Sequence, residues 1–325
     1  MTRSTLSHDT TAPTPSKAKG RLGYWLVGGL VLIALALLVP NFATQQNLSN
    51  VTVQASGVGL MAIGGAFVLI GGGIDLSSPA TMALSAVAGA MVLDWYGPLA
   101  GALAMLAVGC IVGIANGFAV ARLKMVPLIV TLAMMVTVTG INTSITSGRS
   151  FIVPSSLSDV IDGSILGIPV PAMIFIGFTV IGGLIAHRTV VGRWLYMTGV
   201  NPEAAFSAGV PVARVLAATY VASGFLAGVA GLVIASRAGA AGVTLGPDVL
   251  VLDVVGSAVI GGVSIYGGRG SPVGAALGAV VLAVLANVAN LVGIPFYTTL
   301  LLKGLVIIAA SGVDRFVFVR ARDRA

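Results

Sequence analysis

The stretch Gly71-Gly72-Gly73-Ile74-Asp75-Leu76-Ser77-Ser78-Pro79 lies between two apolar runs, at about 51–70 and 79–94. Three consecutive glycines end a helix readily, because a residue without Cβ tolerates positive φ at low cost. Ser78 followed by Pro79 suits an N-cap and a first helical position. The chain therefore stops one apolar helix and restarts another around a single acidic residue. Each run approaches the ~20 residues a helix needs to cross a bilayer. Non-helical backbone at membrane depth is tolerated only when buried in protein or lining a watery cavity. Spacing alone leaves two readings of Asp75: a polar determinant lining a pathway, or a helix cap in an ordinary cytoplasmic turn.

The pattern continues in both directions from this break. Further apolar runs lie at about 24–39, 98–120, 126–146, 168–186, 215–235, 250–265, 272–291 and 296–312, making ten expected spans. Of the 325 residues, 57% are apolar and 8% charged, with 44 glycines besides. A soluble domain carries about 25% charged residues, so an ordinary soluble enzyme is excluded. Disorder, which requires low hydrophobicity and high charge, is excluded too. Long continuous runs do not fit the alternating segments of about 10 residues that build an outer-membrane barrel. The fold class is an all-α polytopic membrane protein. The first run, Tyr24 to Val39, has the positive flank of a signal peptide, but no A-x-A site precedes Asn41, so it reads as an uncleaved span. Trp25, Trp95, Tyr96, Trp194, Tyr196 and Tyr297 fall near span ends, where amphipathic rings favour the interface.

Charge fixes the expected orientation. With the N-terminus inside, fourteen of the seventeen Lys and Arg residues lie in cytoplasmic loops and tails. Only Arg149 and Arg237 fall outside, and Lys303 falls within the last span. The expected organisation is a cytoplasmic tail over 1–23, a transmembrane domain over 24–313 and a basic cytoplasmic tail over 314–325. The net charge of +7 records topology here; the cations are spread singly through loops, which argues against nucleic acid as a partner. Cys110 is a single cysteine inside an apolar run, and His8 and His187 stand far apart without clustered ligands. No disulfide framework, metal site or catalytic constellation is expected.

Two more segments interrupt the apolar pattern. The polar stretch from His187 to Arg214 contains Gly192-Arg193-Trp194 and then Asn201-Pro202-Glu203-Ala204-Ala205, with Gly209 beyond. Asn201 or its predecessor can cap a short helix starting at Pro202, Glu203 suits its positive first turn, and Gly209 can end it. Such a helix is either a docking element or a solvated connector. The other segment, Val259-Ile260-Gly261-Gly262 through Gly267-Gly268-Arg269-Gly270-Ser271-Pro272, precedes a helix rich in small residues that permit close helix approach. It lacks the pattern of a phosphate-binding loop. Its glycines followed by Ser-Pro loosely repeat the 71–79 stretch, as in transporters built from internal repeats. Asn116, Asn142, Asp253, Asn287, Asn290 and Lys303 lie inside apolar runs and should face protein or water. Asn287 and Asn290 share a helical face, and Asp253 could pair with Lys303.

These stretches, taken in order with Asn116-Gly117 and Pro127-Leu128-Ile129-Val130-Thr131-Leu132, resemble the permease subunits of bacterial ATP-binding-cassette importers. The resemblance is to the ribose/pentose-type sugar branch of the branched-chain amino acid/sugar permease superfamily and covers roughly residues 25–312. It implies a type II importer-like architecture of about ten transmembrane helices per subunit, without catalytic residues or a cofactor of its own. The implied partners are a second permease copy or homologue, membrane lipid, a cytoplasmic ABC ATPase carrying ATP and Mg, and a periplasmic or lipid-anchored solute-binding protein. The implied location is the bacterial inner membrane. The segment Asn201, Pro202, Glu203, Ala204, Ala205 to Gly209 matches the family's coupling-helix loop, which docks on the ATPase. Candidate solute-pathway residues are Asp75, Asn116, Asp253, Asn287 and Asn290. Ser78-Pro79 and Val254-Val255-Gly256-Ser257 depart from the family pattern near the pathway and leave the particular sugar open. A permease for branched-chain amino acids, an ion-coupled secondary transporter using Asp75 or Asp253, and a membrane-embedded enzyme are the competing readings.

The charge pattern predicts that Asp159 and Asp162 face outward. A cysteine at position 159 should react with an impermeant reagent applied to the outer face of intact cells. Labelling from the cytoplasmic side alone would reverse the orientation.

Overall fold

A computed structural model describes residues 34, 37–242 and 247–322. The expected tail 1–23 and nearly all of the first expected span lie outside the described residues. The helices are α1 (Gln45–Ile70), α2 (Ser78–Ala121), α3 (Pro127–Thr146), α4 (Ser155–Ile161), α5 (Val170–Arg188), α6 (Val190–Val200), α7 (Pro202–Ser207), α8 (Val212–Ala238), α9 (Pro247–Ile260), α10 (Pro272–Leu291) and α11 (Phe296–Arg322). Among the described residues there are also four two-residue strands: β1 (Phe151–Ile152), β2 (Ser164–Ile165), β3 (Ile168–Pro169) and β4 (Ala240–Ala241). Strand β1 pairs antiparallel with β4, and β2 with β3. Among the described residues six helices, α1, α2, α3, α5, α8 and α10, are long and apolar enough to cross a membrane.

Helix α2 has 44 residues, twice what one crossing needs. It breaks at Gly97, where φ is 83° and ψ 175°, immediately before Pro98. Positive φ is cheap only for glycine, and proline cannot donate to the preceding turn, so the pair reverses the chain. The two arms fold back on each other: Gly89 sits against Met105 and the Gly101 carbonyl, and Gly101 against Leu93. These arms are the third and fourth expected spans.

The core is centred on α1, which is buried almost throughout its second half and packs against α5, α8, α9 and α10. The second arm of α2 runs antiparallel to α8 at backbone contact. Gly109 meets Gly224, Gly113 meets Tyr220, Gly117 meets Ala217, and Gly228 meets Met105. Lipid supplies no hydrophobic drive for helix association, so contact of this kind rests on close packing that only small residues allow. The α9–α10 pair repeats the device, with Gly261 on Gly274 and Gly278 on Ser257.

Contacts sort into two ends. At one end β1 meets β4, the Ser158 hydroxyl donates to the Ser236 carbonyl (3.1 Å), and Asn47 meets Asn287. At the other end the three segments singled out in the sequence converge. The Gly268 N–H donates to the Ile70 carbonyl at 2.8 Å. Gly199 rests on Ile70 and Gly268, and Gly267, at φ 85°, lies against Gly72. The Tyr196 hydroxyl donates to the Gly270 carbonyl at 2.8 Å, with the His187 ring stacked on Tyr196 and its Nε2 3.2 Å from the Ser271 hydroxyl.

Several expected boundaries move. The eighth expected span, about 250–265, is α9 and ends at Ile260, because Gly262 takes φ 78° and the Val263 N–H folds back onto the Ala258 carbonyl. Helix α11 continues to Arg322, past the expected domain end at 313. The N-cap of α2 is Ser77, one residue before the expected Ser78. The polar segment 187–214 is largely helical: α6 buries Gly192, Leu195 and Thr198 against the core, and the Thr189 hydroxyl caps it by accepting from the Gly192 N–H.

The glycine junction predicts a steric test. A Cβ on Gly199 would strike the Ile70 carbonyl and come within 2.5 Å of the Gly268 nitrogen. Overpacking of this kind costs about 1–3 kcal/mol. Gly199→Ala should therefore lower the melting temperature of the purified protein, whereas Gly140→Ala, inside α3 with nothing within 4 Å of the new Cβ, should hold or raise it.

Candidate functional site

The break between α1 and α2 is held by buried polar groups from four segments. Asp75 Oδ1 accepts from the Ser77 N–H (2.9 Å) and the Ser77 hydroxyl (2.7 Å). Its Oδ2 accepts from the Ser223 hydroxyl of α8 at 2.7 Å. Asn116 Nδ2, from the second arm of α2, donates to Ser77 Oγ at 2.8 Å. The freed Ile74 carbonyl accepts from Thr131 of α3 (3.2 Å) and from the Tyr220 hydroxyl (3.4 Å). The structure thus brings Asp75 and Asn116 together through Ser77. Both carboxylate oxygens are satisfied within the chain, so Asp75 anchors the unwound segment to α2 and α8.

The other pathway candidates lie elsewhere. Asp253 of α9 pairs with Lys303 of α11 at 2.7 Å, both buried, which is the pairing the sequence allowed. Asn287 of α10 exchanges two hydrogen bonds with Asn47 of α1, at 3.0 and 2.8 Å. Asn290, expected to share its face with Asn287, is exposed while Asn287 is buried. The five candidates therefore mark four separate places. Ser77, inside the break singled out in the sequence, completes the Asp75 network, whereas Ser223, Tyr220 and Asn47 escaped sequence reading. Each is a single polar side chain in or beside an apolar run, with no pattern to single it out.

Two clefts open at the two ends. One, of about 1180 Å³, is lined by polar groups including Gln45, Ser49, Asn50, Asp162 and Arg237. Partial burial there raises the Asp162 carboxyl above its usual value, against a smaller opposing pull from the Arg237 guanidinium. The other, of about 930 Å³, lies between the α2–α3 loop and α7, with Arg122, Lys124, Glu203, Phe206 and Arg214 among its lining residues.

Helix α7 forms as its sequence predicts. Asn201 Oδ1 accepts from the N–H groups of Glu203 and Ala204, both at 3.0 Å, Pro202 occupies the first turn, and Gly209 takes φ 82°. The expected docking face needs one correction. Ala205 is 2% exposed and belongs to the central core of this chain, because the six-residue helix lies down on that side. Glu203 and Ala204 are exposed, and Phe206 is 73% exposed. Among the described residues, no group of three or more His, Cys, Asp or Glu could hold a metal ion.

Comparison with known proteins bears on this arrangement. The family described as branched-chain amino acid transport system / permease component matches residues 47–311. The ribose import permease protein RbsC of Bacillus subtilis is 34% identical over 299 residues, 91% of this chain and 92% of its own length. The L-arabinose transport system permease protein AraH of Escherichia coli is 34% identical over 317 residues, 94% of each chain. RbsC of Escherichia coli is 34% identical over 298 residues, 89% of this chain and 92% of its own. No solved structure matches.

The Asp75 network predicts the outcome of its removal. Asp75→Ala leaves the Ser77 N–H and two hydroxyls without their acceptor in a buried site, at about 1–3 kcal/mol for an unsatisfied group. The variant should unfold at a lower temperature and accumulate less in the membrane. A variant of unchanged stability that fails to transport would instead assign Asp75 to solute contact.

Proposed function

Because the chain belongs to the branched-chain amino acid transport system / permease component family, we propose that it is the membrane permease of an ATP-driven importer of a small sugar. The observation that carries this reading is the match to ribose and arabinose permeases at 34% identity along nearly the whole length of both chains. The permease is a non-catalytic, multi-pass subunit of the bacterial inner membrane, and hydrolysis of ATP with Mg belongs to a separate ABC ATPase.

In this reading ten spans arise from the first apolar run, the six long helices with α2 counted twice, and the apolar parts of α9 and α11. Both termini are cytoplasmic, as the loop cations favour. The cleft containing Asp162 and Arg237 then faces outward, where a solute-binding protein delivers its cargo. Helix α7 and the basic cleft beside it face inward, where the ATPase docks. A second permease, identical or homologous, completes the channel, with lipid against the remaining apolar surface.

The geometry gives this arrangement a way to transmit force. Helix α7 follows α6 directly, with Asn201 serving as the C-cap of one and the N-cap of the other. Two residues before Asn201, Gly199 rests on the last carbonyl of α1 and on the Gly268 amide. A displacement of α7 therefore acts on backbone at the start of the α1–α2 break, with no flexible side chain between.

Two experiments test the proposal. Vesicles containing this chain, its ATPase and its binding protein should accumulate ribose or arabinose only with ATP; absence of uptake for either sugar removes the sugar assignment. Phe206→Asp places a charge where an apolar ring meets the partner. It should weaken ATPase association about tenfold or more, about 1.4 kcal/mol, with the melting temperature unchanged. Ala205→Glu should instead destabilise the permease itself. Normal ATPase binding by Phe206→Asp would make α7 a passive connector.

A further inference from the structure

Asp75 and Asp253 are both buried carboxylates, and their surroundings differ in one respect. Both oxygens of Asp75 accept hydrogen bonds from this chain. Asp253 Oδ2 accepts from Lys303 at 2.7 Å, whereas its Oδ1 is sealed from solvent and has no partner. A buried acceptor left unsatisfied costs about 1–3 kcal/mol, more when it is charged. The pair as a whole is also costly at membrane depth, and apolar side chains of similar volume would join α9 to α11 with less penalty. A structural tie needs neither the charges nor a buried oxygen left without a partner.

Beside the pair lies a notch of about 30 Å³, into which Asp253 and Lys303 project together with Gln54 of α1. That volume holds a single water or hydroxyl group, since about 10–15 Å³ suffices for one water. Its far wall is Ala279, Ala283 and Ala286 of α10, whose small side chains leave the space open. These positions and Asn290 follow one another at helical spacing along one stripe of α10. Gln54 and Asn290 are exposed polar residues on membrane-spanning helices. Such residues are disfavoured against lipid and belong to surfaces that meet water or protein.

We infer that the notch formed by Gln54, Asp253 and Lys303 is a point on the solute pathway that binds one hydroxyl group of a neutral polyhydroxy compound. The inference rests on the sugar-permease reading above and locates a solute contact within it. A hydroxyl both donates and accepts. It accepts from the Lys303 ammonium or the Gln54 amide N–H and donates to the Gln54 side-chain carbonyl, while the Asp253 carboxylate holds the ammonium in place. The carboxylate repels an anionic group and the ammonium a cationic one, so the site takes neutral hydroxyls in preference to the charged ends of an amino acid. The Asn47–Asn287 pair ties the same two helices, α1 and α10, nearer the end that carries the large polar cleft.

The test uses the assembled transporter, with ATPase and binding protein, in lipid vesicles. In a Cys110→Ser background, Gln54→Cys should react with a charged, water-soluble methanethiosulfonate, and ribose or arabinose during turnover should slow the reaction. Failure of Gln54→Cys to react overturns the proposal, because the notch is then closed to water. Asp253→Leu combined with Lys303→Met replaces the pair by apolar groups of similar size. This double variant should melt at or above the temperature of the parent yet take up sugar at least tenfold more slowly. Gln54→Leu, which leaves the ion pair intact, should lower uptake severalfold and serves if the double variant does not fold. Uptake at the parental rate by either folded variant makes the pair a structural tie and overturns the site. A parent chain that moves neither sugar while Gln54→Cys still reacts defeats the sugar assignment and supports a watery notch.

Discussion

The hydrogen bond from the Gly268 amide to the Ile70 carbonyl joins segments almost two hundred residues apart where no side chain fits between them. It closes the last turn of α1 with a donor from the α9–α10 loop, and Gly199 at the end of α6 fills the remaining space. Carbonyls at the end of a membrane helix need partners that lipid cannot supply. Here the partner is another loop's backbone. That choice fixes the position of α6, hence α7, and sets the end of α1 from which the unwound segment 71–77 departs. The Asp75 network then secures the far side of that segment to α2 and α8.

Much of this was legible in the sequence because the signals are local. Apolar runs mark helices, and glycines with Ser-Pro mark where they stop and restart. Asn201-Pro202 announced a capped short helix, and Asp253 and Lys303 stood out as charges inside apolar runs that could pair, although nothing in the sequence places them together. What stayed hidden depends on three-dimensional proximity. Gly109, Gly113 and Gly117 look like ordinary glycines in an apolar run until Gly224, Tyr220 and Ala217 are placed against them. Ala205 reads as surface in a polar segment, and only the tilt of α7 puts it in the core. Helix α6 was masked by Gly192, Arg193 and Gly199, residues that read as loop. Gly199 is required there by contact with Ile70, and Gly192 by the carbonyls of Ile185 and Ala186.

The two buried carboxylates show why composition cannot tell a carboxylate satisfied by its own chain from one that is not. Both are aspartates bordered by apolar residues, Asp75 in the glycine-rich break and Asp253 within an apolar run. Asp75 is surrounded by donors from its own chain: a backbone amide and two hydroxyls. Asp253 has a single donor and an empty neighbouring volume. The difference lies in whether the carboxylate's capacity to accept is exhausted, which depends on side chains from α1, α8, α10 and α11 that no sequence window contains.

Helix α9 has 14 residues. At about 1.5 Å per residue it rises about 21 Å, against a hydrocarbon core about 30 Å thick. The missing length is made up at its end by the 261–271 loop, whose backbone is bonded within the protein through Ser264 to Arg269, Gly267 to Ser264 and Gly268 to Ile70. A loop satisfied in this way can sit below the membrane surface without exposing polar backbone to lipid. Helix α9 alone therefore covers about two-thirds of the hydrocarbon thickness, and folded, hydrogen-bonded loop covers the rest.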